Sequence, residues 1–139
     1  MSSHAGARTV AGRSLNGLVA LVFGAVFVLV GLAGFLVSGG HPAVGDTGGA
    51  LLGLFQVNVL HNLVHLAIGV ALIAAGLRGH RPARAANQGF GVLYLVLFLA
   101  GLFLVGTPLN IVALNGQDNI LHLVLGIALA GVGFGADRR

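Results

Sequence analysis

Four long apolar runs constrain this chain more than any other feature. Leu15 to Val37 is about 23 residues without a charged side chain. At 1.5 Å per helical residue, such a run crosses a hydrocarbon layer about 30 Å thick. Three further apolar runs follow, at about 54–77, 88–105 and 115–134. Lipid offers backbone groups no hydrogen-bond partner, so helix is the state these runs must take. The first run is longer than the apolar core of a secretory leader and is read as a retained signal-anchor. The expected fold class is all-α, a four-span transmembrane helix bundle in a single domain.

Composition sharpens this reading. Hydrophobic residues make up 57% of the chain and charged residues only 7%, against roughly 25% charge in a soluble domain. A water-soluble enzyme is therefore excluded. The absence of Cys removes disulfides, thiolate metal sites and Cys nucleophiles from consideration. Seven arginines against three aspartates give a basic chain, but without an aromatic-rich basic patch no nucleic-acid partner is expected. Arg8 and Arg13 precede the first run, Arg78, Arg81 and Arg84 lie between the second and third, and Arg138 and Arg139 follow the fourth. In a four-span arrangement all seven share one side, which the positive-inside rule makes cytoplasmic, with both termini there.

Sliding the chain along itself by 57 positions superposes two segments. His61-Asn62-Leu63-Val64-His65-Leu66 falls on Asp118-Asn119-Ile120-Leu121-His122-Leu123, with Asn58 on Asn115, Gly69 on Gly126 and Gly76 on Gly133. The simplest organisation is two tandem helical hairpins, about 13–77 and 84–134, related by a pseudo-twofold axis along the membrane normal. A weaker echo joins Arg13 and Asn16 to Arg84 and Asn87.

At 100° per residue, Asn58, His61, Asn62 and His65 lie within about 100° of arc, and Asn115, Asp118, Asn119 and His122 do the same on the fourth run. Continuing along each face come bare positions, Gly69 and Gly76 on one and Gly126 and Gly133 on the other. Small residues mark membrane helix seams, and polar ones turn to the bundle interior. The second and fourth helices are therefore expected to pack on each other through these faces, the eight polar residues meeting in the outer half. Gly17, Gly24 and Gly31, seven residues apart, predict a further seam on the first helix. Tyr94 and Phe98 read as packing residues.

Two readings of the polar cluster stand side by side. In one, the amides and imidazoles are interhelical hydrogen-bonding groups, and Asn58 and Asn115 cap helix starts. In the other, His61 and His65 (H-x3-H) face Asp118 and His122 (D-x3-H) as a ligand or divalent-metal site, with Asn62 and Asn119 as their supports. A haem between His65 and His122 is the less favoured form of that second reading. Three aspartates and no glutamate provide no nucleophile–base pair or adjacent carboxylates, so the chain is not expected to be an enzyme.

The doubled motif N-x2-H-N-x2-H-L-x2-G and N-x2-D-N-x2-H-L-x2-G resembles a bacterial membrane family catalogued as domain of unknown function 4383. The resemblance spans roughly residues 10 to 135. It implies a small four-helix protein of the bacterial cytoplasmic (inner) membrane and implies no activity. The expected role is a structural or accessory membrane subunit, with metal or small-ligand binding as the alternative. The expected partners are the lipid bilayer and either further copies of the chain or a larger membrane complex.

Overall fold

The computed structural model describes residues 12–138; Arg8 and Arg139, counted above with the cytoplasmic charges, lie outside the described residues. Four helices dominate: α1 (Leu15–Ser38), α2 (Val59–Arg78), α3 (His80–Leu104) and α4 (Gly116–Gly135), with a small hairpin of β1 (Gly49–Leu51) and β2 (Phe55–Val57) between α1 and α2. Each helix is long and apolar enough to cross a bilayer. Large apolar side chains such as Leu29, Leu36, Leu102 and Phe103 are exposed on the perimeter, where a membrane protein meets acyl chains rather than water.

Helix ends follow local chemistry. Ser14 caps α1 by accepting from Gly17 N–H, and Asn58 caps α2 by accepting from His61 N–H. The second apolar run therefore does not become helix from 54. Residues 55–57 pair antiparallel with 49–51 through a turn in which Leu52 and Gly53 both have positive φ, and helix starts only after the Asn58 cap. The third helix begins earlier than its apolar run, at His80, directly after Gly79 with φ +118. Arg81, Pro82 and Arg84 are polar helix, not loop. Pro82 is tolerated because a first-turn N–H has no intrahelical acceptor to lose.

Tight packing runs within consecutive pairs, α1 on α2 and α3 on α4, while contact between the pairs is sparser and falls mostly between α3 and helices α1 and α2. The expected glycine seam between α2 and α4 is not formed. Gly69 lies against α1, where an added Cβ would stand 2.8 Å from Gly24 O, and Gly76 lies against Leu21 and Gly17. Gly126 and Gly133 lie against Leu95 and Gln88 of α3. The physical reason is supply. The glycines of α1 offer α2 a matching bare stripe for close backbone approach, and α3 offers α4 the same with Gly91, set against the backbone of Ala130. The apolar core joins both pairs through Ala20, Phe27, Ile68, Leu72, Tyr94 and Leu129.

One end of the bundle collects the described arginines. Arg13 donates to Gly76 O (3.2 Å) and Arg84 to Gly133 O (3.0 Å), each meeting a carbonyl near a helix C-terminus. The start of α1 meets the segment after α4 here, since Asn16 N–H donates to Asp137 Oδ2 at 2.8 Å. Asn87 in turn donates to Asn16 O and Oδ1, both at 3.0 Å.

Candidate functional site

The opposite end is closed by two loops that hold each other. Gly45 N–H donates to Ile111 O (3.0 Å), and Ala113 N–H returns to Gly45 O (2.9 Å). Ala113 takes a left-handed φ of 54° to make that bond, a conformation uncommon outside glycine. Asn58 is the keystone. While its oxygen caps α2, its Nδ2 donates to Gly45 O and Ile111 O, both at 3.0 Å. Asn110, which the sequence pattern did not single out, ties its own loop by exchanging bonds with Leu114.

The eight polar residues of the two faces divide by chemistry. All are buried except Asn115, which is half-buried. Asn62 and Asn119 turn to their own hairpins, while Asn58 and Asn115 reach across to the other. Asn62 donates to Ser38 Oγ on α1 (3.1 Å) and lays its amide oxygen against Gly34, where a Cβ would otherwise stand. Asn119 lays its amide oxygen against Gly101 of α3 in the same manner. Asn115 caps α4 and donates to Leu54 O at 2.7 Å. These amides hold helix to helix and helix to loop.

The histidines instead face one another. His61 and His65 stack with ring centroids 4.6 Å apart, and His122 of α4 comes within 6.4 Å of His61. Phe27 lies 5.7 Å from His65 and Tyr94 lies 5.2 Å from His122, so two aromatic rings back the cluster. His61 Nδ1 is 2.9 Å from Val112 O. A carbonyl can only accept, so that bond puts the proton on Nδ1 and leaves Nε2 as an acceptor. His65 and His122 differ: each has a buried Nδ1 without a partner outside its own helix, as the buried Oδ1 atoms of Asn62, Asn87 and Asn119 also lack one. The three imidazoles and Tyr94 line a cavity of about 210 Å³. A smaller one, about 90 Å³, lies beyond His65 and His122 beside Asp118 and Val57.

Asp118 does not join the ring of histidines as a fourth ligand. Its carboxylate accepts from Asn115 N–H (3.0 Å) while Asn115 accepts from Asp118 N–H (2.9 Å), a closed capping box at the start of α4. Among the described residues no three His or Asp side chains are grouped as a metal ion requires. The four-ligand set of His61, His65, Asp118 and His122 is thus not assembled among the described residues, where the carboxylate bonds the backbone of Asn115 and of Gln56.

Sequence reasoning missed Tyr94 as part of the site. It was legible only as the single tyrosine of the chain, placed in an apolar run. Val112, Leu114, Gly34 and Gly101 gave no signal at all, since their roles depend on which helix lies opposite.

The sequence profile described as Domain of unknown function (DUF4383) matches residues 18–135. The chain belongs to this family. The match takes in all of α2, α3 and α4 and most of α1, together with both polar faces. No curated protein and no solved structure matches the chain. As a DUF4383 member it is a protein of four membrane-span helices whose activity the family leaves unassigned.

Proposed function

We propose that this DUF4383 protein is a non-enzymatic accessory component of the bacterial inner membrane, built as two tandem hairpins with both termini in the cytoplasm, and that it holds a small ligand in its histidine cavity. The observation that carries the reading is the division of labour at the outer end. Asn58, Asn62 and Asn115 bond loops and neighbouring helices, whereas His61, His65 and His122 gather on the wall of one cavity. Imidazoles are costly to hold away from water, so three of them on one cavity wall favour a site that a ligand completes.

The tandem arrangement draws support from matched contacts. Asn62 stands to Gly34 as Asn119 stands to Gly101, and Arg13 stands to Gly76 O as Arg84 stands to Gly133 O. Orientation rests on the arginines, five described ones at a single end and none in the outer loops.

Two measurements test this. The natural chain lacks cysteine, so single cysteines report topology without background. In intact cells stripped of their outer layers, an impermeant maleimide should label Thr47→Cys and should reach Ala85→Cys only after the membrane is opened. The reverse pattern overturns the orientation. Elemental analysis and an absorption spectrum of detergent-purified protein address the occupant. Stoichiometric metal or a Soret band would replace an organic ligand with the metal or haem reading.

A further inference from the structure

The cavity's walls say which chemical class it accepts. We propose that it takes the uncharged head of a lipid-soluble molecule with one para-oxygenated six-membered ring, a quinone or its quinol, which enters sideways from the bilayer between α2 and α3. This deepens the ligand-binding reading above and rests on it.

Four observations converge. First, size: the cavity is about 210 Å³, and an apolar cavity of about 150 Å³ accepts benzene. One substituted ring fits, and a macrocycle does not. Second, charge: no arginine or aspartate lines the cavity, so a phosphate or carboxylate head has no counter-charge to meet.

Third, hydrogen bonding: an uncharged imidazole carries one donor and one acceptor nitrogen, and a phenol does both. His65, His122 and Tyr94 can therefore donate to the carbonyls of a quinone or accept from the hydroxyls of a quinol. His65 and His122 are more than nine-tenths buried, with exposures of 8% and 5%, and their Nδ1 atoms are sealed, which leaves Nε2 as the nitrogen of each ring that can meet a ligand. Fourth, access: the rim includes Val64 of α2 and Leu93 of α3, each 39% exposed on the lipid-facing perimeter. This is the sparser inter-hairpin contact, not a glycine seam. An aliphatic tail can stay in the membrane while the ring sits inside.

The protein supplies its own probe. It has no tryptophan and a single tyrosine, and that tyrosine, Tyr94, is in the cavity wall. Protein in lipid nanodiscs is titrated with a decyl-substituted benzoquinone and, separately, with its quinol while tyrosine emission is followed. The expected result is saturable quenching at one ligand per chain with at least one of the two forms. Affinity should weaken at least tenfold in Val64→Phe, which fills the rim, and in His122→Leu, and stay unchanged in Ile127→Phe on the exposed face of α4. Decylcyclohexane should not compete. Linear quenching equal in all variants means partitioning into lipid and overturns the proposal, as does competition by decylcyclohexane.

Phenol, followed by the nitrogen resonances of histidine-labelled protein, separates the two levels of inference. Shifts at His65 and His122 that Val64→Phe abolishes, without quinone or quinol binding, would leave the pocket standing and remove the quinone assignment. Silence from phenol and from both decyl ligands removes both.

Discussion

The hairpin α1–α2 and the hairpin α3–α4 solve the same packing problem with the same parts, and they part company at one position. In each, an asparagine caps the second helix, another asparagine one turn later lies on a glycine of the first helix, and a histidine follows. Three residues past the cap, however, the first hairpin has His61 and the second has Asp118. Asp118 folds back onto its own cap and closes a capping box. His61 cannot do so. It reaches across to Val112 O in the loop that follows α3 and stacks on His65. One substitution thus turns a residue that closes a capping box into one that stacks on a second imidazole and lines the cavity. The capping residues also tie loop to loop, and the imidazole adds the wall that makes the cavity shared.

Substitutions can break or sharpen that comparison. The largest effect is expected at the seams. Gly24→Leu and Gly91→Leu each drive a side chain into the backbone of the opposing helix, at a cost of about 3 kcal/mol or more, and neither variant should give monodisperse protein in detergent. Survival of one and not the other would break the equivalence of the hairpins. Next come the caps. Asn58→Ala loses the cap and strands two loop carbonyls, for about 3 kcal/mol, whereas Asn115→Ala loses a cap and one exposed bond, for about 1 kcal/mol. Thermal unfolding followed by far-ultraviolet circular dichroism measures both, and equal losses would remove Asn58 from its keystone role.

Smaller effects follow. Gly34→Ala and Gly101→Ala put a methyl where an amide oxygen lies, and each should lower stability by about 1–2 kcal/mol, to the same extent in the two hairpins. Asp118→Asn should cost the least, about 0.5 kcal/mol, since an amide still accepts from Asn115 N–H but loses the charge favoured at a helix start. A loss as large as that of Asn58→Ala would mean that its bond to the Gln56 backbone, and not the capping box, carries most of its contribution.

Much of the fold could be read from residue order because lipid leaves few choices. Long apolar runs must be helices, and polar residues on a face that continues into glycine must turn inward. What escaped was which helix each face meets. Gly69 and Gly126 look alike in sequence and each is in a seam, but the partner is decided by stripes elsewhere in the chain, Gly24 for one and Leu95 for the other. The β-hairpin escaped because Leu54 to Val57 is apolar enough to pass for membrane helix, and only the Asn58 cap marks where helix starts. The helical start of α3 escaped because Arg81, Pro82 and Arg84 resemble a loop, although a first turn tolerates all of them. At the site, the polar residues were visible but their split was not. Amide and imidazole share one stripe in sequence, and the neighbours Gly34, Gly101 and Val112 sort them into frame and cavity.

The bond between Asn16 N–H and Asp137 Oδ2 bears on how such a protein is handled. It clasps the start of the first helix to the tail of the last, so the molecule closes on itself like a belt with Asp137 as the buckle. Clipping the tail at Gly135 would undo that clasp and release the frayed ends of two helices together. Affinity tags and reporter fusions should be joined only beyond Asp137, with enough slack to leave the buckle fastened.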